Sequence, residues 1–423
     1  MEYKQIKKEN YNINLIKTDR FKTISVVFTF VRPFKKEYIP LSSLLNTMLV
    51  KTSKKYKQSR NIVTELEKLY NMDVFSKLSI LGNIFTLEYG IEFINPKFTD
   101  HEMYDKSFSM FKELIFNPNV DDNKFSSKEF QMYKNNQIMN IESVKDNSTM
   151  FAEVNYNKIM FKKLPYENTP FSLLKLFKEI DEKSLYKFYK DIIFDSKFIV
   201  TVVGDFEEEL VLKNINKITK YLSNKNYELS ELNLNEIETN KVNEVVEQKK
   251  LNQSTLLVGY KFYNLTDFER NYVLQIYNLI LGTMNNSILF VNVREKKSLC
   301  YSISSYIHKY VPSITIEAGI NSNNYDKTIK EIKSCVKLMK NKDEINKLFT
   351  NALNTINLTL NDYYEDVNKI VNHYVMKEIN NIISIEEMRE NYNKVTVEDI
   401  VNLNKKIELN TIYFLEGTND KKN

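Results

Sequence analysis

Side chains able to bind a metal or move a proton are scarce in this chain, and their spacing decides what chemistry is open to it. The histidines are His101, His308 and His373. A hydrolytic zinc on a helix is held by two His on one face, with a carboxylate beside the metal-bound water. None of the three has a second His within one helical turn, so these residues cannot build such a site. The cysteines are Cys300 and Cys335, neither at metal-ligand spacing from a partner, a usage that fits a reduced cytoplasm. Cys300 follows a basic run that favours a thiolate, against the commoner case of a buried, inert thiol. A Cys300–His308 dyad would have to bridge eight residues of strand, roughly 26 Å if extended, which argues against it. With seven glycines in all there is no glycine-rich phosphate loop, and no GxSxG elbow occurs.

The elements around these residues come in a repeated order. Lys22–Val31 is β-branched and aromatic and predicts a strand. Leu41–Lys51 and Ser59–Tyr70 carry apolar residues at helical spacing. Asp73–Ser79 and Ile84–Phe93 predict two strands across a turn at Gly82-Asn83. A helical stretch follows from His101 to about Tyr189, broken near Asn117-Pro118 and between Pro165 and Pro170. Phe198–Val203 predicts a buried closing strand. Ser223–Lys250 turns polar and predicts an interdomain linker, after which the order restarts. Ser254–Tyr260 predicts a strand, Phe268–Leu281 and Ser287–Lys297 helices, and Tyr301–Ile307 and Ser313–Ile320 a strand pair. Helices from Tyr325 to Ile407 and a strand at Thr411–Leu415 complete it. A gapless shift of 229 positions lays Phe85–Ile91 on Ile314–Ile320 with four identities in seven. The pattern predicts a duplicated α+β domain, with one domain at 1–222, a linker at 223–250 and a second domain at 251–423.

Composition agrees with two cores: 423 residues, 42% of them hydrophobic and rich in Tyr and Phe. The net charge of +5 is the residue of 60 basic and 55 acidic groups spread along the chain, which argues against nucleic acid as a partner. Met1–Lys17 is polar and reads as no signal peptide, and no apolar stretch nears the ~18 residues that span a membrane.

Several segments carry a family resemblance. Val293-Arg-Glu-Lys-Lys-Ser-Leu-Cys-Tyr-Ser302 resembles the "REKxGLAYSV" region of the insulinase, pitrilysin and mitochondrial-processing-peptidase family. Met48-Leu-Val-Lys-Thr-Ser-Lys-Lys55 resembles the "MLFKGTKK" that follows that family's inverted zinc motif, H-x-x-E-H. Leu164-Pro-Tyr166 is similar to its "HPYG" loop and Lys394–Ile400 to its "VTxEDV" helix start, where Thr396 and Asp399 also read as an N-cap and its capping partner. Counting back from Met48, the motif falls on Ser43, Leu44, Leu45, Asn46 and Thr47, so both His ligands and the catalytic Glu are replaced. Ile141–Asn147 resembles the context of the third ligand and puts Asn140 at that position, with Glu142 close by.

The resemblance implies two tandem insulinase-family domains, of the LuxS and mitochondrial-processing-peptidase type, forming half of a clamshell. It implies no metal in this chain, and zinc in a homologous H-x-x-E-H-bearing partner, with a short peptide as substrate. In the family an Arg and a Tyr seven residues apart contact the substrate carbonyl, and Arg294 and Tyr301 match them. An Arg at a helix end and a Tyr entering the next strand could both donate to an oxygen that becomes negative during attack. By residue type alone, Arg294 belongs to a solvated charge run and Tyr301 packs in a core. The resemblance therefore implies a catalytically incomplete subunit of a heterodimeric peptidase, and a non-hydrolytic peptide-binding or scaffold protein is the alternative. Peptide capture by strand addition would use Ile314–Ile320 or its first-half equivalent, if either forms an edge.

Overall fold

The structure is a computed structural model and describes residues 1–9, 11–220, 222, 229, 232–234 and 241–419. Half of the expected linker, and the last four residues, lie outside the described residues. In chain order the first half contains β1 (Glu2–Lys7), β2 (Asn12–Lys17), β3 (Thr23–Pro33), α1 (Tyr38–Lys51), α2 (Ser59–Lys68), β4 (Asp73–Leu81) and β5 (Ile84–Ile94). It continues with α3 (Glu102–Phe116), a short hairpin of β6 (Val120–Asp121) and β7 (Lys124–Phe125), α4 (Ser127–Glu142), α5 (Ser148–Met160), α6 (Leu174–Glu179), α7 (Glu182–Phe194), β8 (Lys197–Gly204) and α8 (Glu208–Thr219). The second half has β9 (Asn243–Lys249), β10 (Ser254–Phe262), α9 (Leu274–Asn278) between two wide-turned segments, β11 (Cys300–His308) and β12 (Ser313–Ile320). It closes with α10 (Tyr325–Leu338), α11 (Lys342–Asn361), α12 (Val367–Asn380), α13 (Ile385–Asn393), α14 (Val397–Leu403) and β13 (Ile407–Gly417). The fold is α+β.

One sheet runs β1-β2-β8-β3-β5-β4 and the other β11-β12-β10-β13-β9. In each, one parallel pair, β2/β8 or β9/β13, flanks a set of antiparallel neighbours. The duplication is thus written into the sheets: β2, β8, β3, β5 and β4 correspond to β9, β13, β10, β12 and β11.

The central strands β3, β8 and β10 are buried at nearly every residue rather than at every second one. Continuous apolar runs of this kind belong to sheets covered on both faces. That second cover explains where the observed units depart from chain order. One compact unit is Met1–Glu142, Thr169–Leu232 and Tyr363–Ile382; the other is Ser143–Asn168, Asn233–Asp362 and Ile383–Asn423. The first unit therefore takes α12 from the second half, which packs on β8 and β3. The second takes α5 from the first half, which packs on β13 and β10 through Ala152, Tyr156 and Met160 against Leu257, Tyr413 and Leu415. A division at 1–222 and 251–423 misses this exchange of equivalent helices. The linker expected over 223–250 is also shorter than its polarity suggested, because Asn243–Lys249 is strand β9. Its exposed residues on both faces give it no alternation to read.

The first unit's core is aromatic. Phe28 of β3 lies 5.3 Å from Phe111 of α3, and Tyr89 and Phe93 of β5 are likewise buried. Helix starts follow local chemistry: Asp181 and Ser184 form a capping box on α7, and Thr396 and Asp399 form the expected one on α14. No helix among the described residues is long and apolar enough to cross a membrane.

Candidate functional site

Helix α1 buries Ile39, Leu44, Leu45, Met48 and Leu49 in the first unit's core. Its half-buried flank carries Ser43, Asn46 and Thr47 at i, i+3 and i+4, the spacing that brings three side chains to one face. Gln137 of α4 closes on that flank. Its Nε2 donates to the Ser43 carbonyl at 2.8 Å and to the Thr47 hydroxyl, and its Oε1 accepts from Ser43 Oγ at 3.1 Å. Thr47 Oγ1 in turn donates to the Ser43 carbonyl at 3.3 Å. Asn46 Oδ1 accepts at 2.7 Å from the hydroxyl of the fully buried Tyr89, whose ionisation burial pushes far upward.

These residues do not fit zinc. Two hydroxyls and two amides offer neither the imidazoles nor the carboxylate that hold the ion, and they are already engaged in hydrogen bonds to one another, the α1 backbone and Tyr89. Among the described residues no group of three or more His, Cys, Asp or Glu is placed to hold a metal. The α4 residue facing Ser43 and Thr47, the positions the resemblance matches to the two His, is Gln137. The position expected for the third ligand, Asn140, lies exposed one turn further along the helix. Nearby Glu142 pairs with Lys178 at 2.6 Å. A sequence signal for Gln137 was present but faint, in that it stands one turn before the residue the family context selected.

Arg294 lies in the wide-turned helix Phe290–Lys296, and the chain then turns sharply into β11. Ser298 takes a left-handed φ of 50°, its N–H donates to the Arg294 carbonyl at 3.1 Å, and that of Leu299 donates to Val293 at 3.0 Å. The Arg294 guanidinium lies over the Phe290 ring, 4.8 Å from its centroid. Tyr301 does not pack in a core. It is 60% exposed and is the extra residue of a bulge between the pairs Cys300↔Ile320 and Ser302↔Gly319. A bulge re-aims the side chain it carries, and the Tyr301 hydroxyl donates to Asn321 Oδ1 at 3.0 Å. Arg294 and Tyr301 therefore stand at the two ends of one tight helix-to-strand turn, both exposed. Arg294 also lies close enough to oppose the rise that burial imposes on the Cys300 thiol.

The remaining candidates fall away. Burial pushes Cys300 up to about 11, the reverse of activation. His308, at the far end of β11, sits among the rings of Phe161, Tyr166 and Tyr306, and burial lowers it to about 4. Neither β12 nor β5 is an edge: each has a strand on both sides, so Ile314–Ile320 and Phe85–Ile91 cannot receive an added strand. Open cavities of about 430 and 590 Å³ occur on the first unit, and none of the candidate residues lines them.

Two α+β units with duplicated sheets, and Ser43, Asn46 and Thr47 at the positions matched to an inverted zinc motif, make the chain similar to the inverted zinc peptidases with the ligand residue types replaced. Residues 179–355 match the family described as the peptidase M16 inactive domain, so over that segment the chain is similar to the insulinase, or M16, peptidases. A Bacillus subtilis relative described as the probable inactive metalloprotease YmfF is 27% identical over 418 residues, covering 96% of this chain and 95% of the relative. Among solved structures, a conserved protein from Enterococcus faecalis V583 superposes with a TM-score of 0.87 at 22% identity, covering 99% of each chain. A peptidase M16 inactive domain from Pseudomonas fluorescens gives 0.78 at 15% identity, again covering 99% of each. At these identities the structural likenesses speak for the fold.

Proposed function

We propose that this chain is the catalytically incomplete subunit of a heterodimeric zinc peptidase acting on short peptides, precursor or leader peptides among them. A homologous H-x-x-E-H subunit supplies the zinc, the attacking water and the general base. This chain supplies Arg294 and Tyr301, which donate hydrogen bonds to the scissile carbonyl as its oxygen gains charge. The observation that carries the reading is the contrast between the two former sites. The metal positions are closed by their own hydrogen bonds, while the Arg294–Tyr301 turn stays exposed and holds a tyrosine out of its ladder.

The test is cleavage of a quenched peptide library by this chain, by the H-x-x-E-H partner and by the mixture. Only the mixture is expected to cut. Arg294→Ala should lower its kcat/KM on the order of 10²–10³-fold, the usual loss for one donor to a developing oxyanion, with the assembly intact by light scattering. Tyr301→Phe should do so to a smaller degree. A partner that cuts equally well alone would favour the second reading, a non-hydrolytic peptide-binding scaffold, and so would a mixture indifferent to Arg294→Ala.

A further inference from the structure

Of the two side chains assigned to the scissile carbonyl, only one can donate to it without giving up a bond. Arg294 carries a fork of N–H donors, none of them hydrogen-bonded among the described residues. Tyr301 has a single hydroxyl hydrogen, and it goes to Asn321 Oδ1 at 3.0 Å. Asn321 is held from both sides. It follows Ile320, which β12 pairs to Ser254 on one side and Cys300 on the other, and it opens the short turn Ser322–Asn324. At that position an asparagine ordinarily caps the turn by accepting from the backbone N–H groups ahead of it. Asn321 makes no such bond, and its Oδ1 serves Tyr301 instead. Its Nδ2 hydrogens have no acceptor among the described residues.

We infer that Asn321 is the positioning residue for Tyr301: its amide accepts from the phenol before a peptide binds and donates to it afterwards, which passes the hydroxyl hydrogen to the scissile carbonyl. This rests on the reading that Arg294 and Tyr301 meet that carbonyl. A half-turn of the amide about its last bond puts Nδ2 where Oδ1 was, with no movement of the backbone. The phenol oxygen then accepts from Asn321 while donating to the peptide, and bonds linked in this way strengthen each other. An amide can take both parts. A carboxylate of the same shape can only accept.

The test is the kcat and KM of the cutting mixture on its quenched peptide. Asn321→Asp should lower kcat about tenfold with KM within about twofold, matching Tyr301→Phe, because the phenol hydrogen stays captive. Asn321→Ala should cost less, about threefold, since Tyr301 is then unheld but free to donate. An asparagine that merely props the ring predicts the reverse order, because Asp preserves the bond to Tyr301. The double variant Tyr301→Phe, Asn321→Asp separates a captive hydrogen from charge repulsion: the first leaves it no slower than Tyr301→Phe alone, and the second slows it further. Circular dichroism and light scattering should show every variant folded and assembled. Asn321→Asp at the wild-type rate, Asn321→Ala slower than Asn321→Asp, or a double variant slowed by the product of the singles would each overturn this inference alone. A mixture that does not cut, or one indifferent to both Arg294→Ala and Tyr301→Phe, would overturn the reading it rests on and the inference with it.

Discussion

A chain carrying Ser43→His, Thr47→His and Gln137→Glu should retain one zinc ion per molecule through dialysis, whereas Ser43→His, Thr47→His and Asn140→Glu should retain none. The expectation follows from the geometry at α1. Residues 43 and 47 lie one helical turn apart on a half-buried flank, which is how two imidazoles share a metal. The Gln137 amide already reaches both positions, with its Nε2 2.8 Å from the Ser43 carbonyl and hydrogen-bonded to Thr47. A carboxylate there replaces an amide of the same shape. From residue 140 it would start about 4.5 Å further along the helix, beyond the reach of ligand bonds of about 2.1 Å. Retention through dialysis needs a dissociation constant of about 1 μM or tighter, on the order of 8 kcal/mol. Inductively coupled plasma measurement of zinc per chain decides the matter, and each single reversion should abolish retention. Equal retention by the Asn140→Glu chain would mean that α4 turns Asn140 as well as Gln137 toward Ser43 and Thr47. Asn46→Glu can be added without disturbing the wall behind it, since a carboxylate accepts the Tyr89 hydrogen bond as an amide oxygen does.

What could be read from the sequence, and what could not, divides along physical lines. Elements whose pattern is local were legible: the β3 run, the helical spacing of α1 and α2, the Thr396–Asp399 capping box, and the repeated order that relates β5 to β12. The loss of the zinc motif was legible as well, because it is a statement about residue types at fixed spacing. The exchange of α5 and α12 between units was not, since a helix's periodicity tells which of its faces is buried and not which sheet buries it. The one hint was indirect: strands buried at every residue need a cover on both faces, and that does not say which helix supplies it. β1, β2 and β9 were missed for a related reason. Each is polar or charged at alternate or successive positions and is held by backbone pairing to a neighbour far away in sequence. Gln137 was missed because a hydrogen-bonded amide carries no motif. The exposure of Tyr301 depends on a bulge, which composition does not announce, and residue type alone favoured burial.

The exchanged helix can be tested at one glycine. In the second unit Gly259 of β10 faces α5 so closely that a Cβ there would lie 2.2 Å from the Tyr156 hydroxyl and 2.8 Å from the Met160 sulfur. Tyr156 cannot swing aside, because its ring is fully buried and its hydroxyl is hydrogen-bonded to Thr315 at 2.9 Å. Gly259→Ala should therefore destabilise the chain by about 3 kcal/mol, combining overpacking with loss of a buried hydrogen bond. Gly259→Val should cost more and free the amides of α5 to exchange with solvent. A strand glycine in an ordinary setting would behave the other way, since alanine relieves the conformational entropy glycine loses on folding. Tyr156→Phe distinguishes the two cases. Alone it should cost about 1–2 kcal/mol by removing the buried hydrogen bond between Tyr156 and Thr315. Combined with Gly259→Ala, it vacates the volume the new methyl needs, so the double variant should be more stable than the sum of the singles by 1 kcal/mol or more, a coupling expected only of residues in contact. Chemical denaturation of the four chains, with hydrogen exchange along α5, measures it. Strict additivity would mean that α5 does not seat on β10 as described, and the exchange of helices between the two halves would lose its second-unit side.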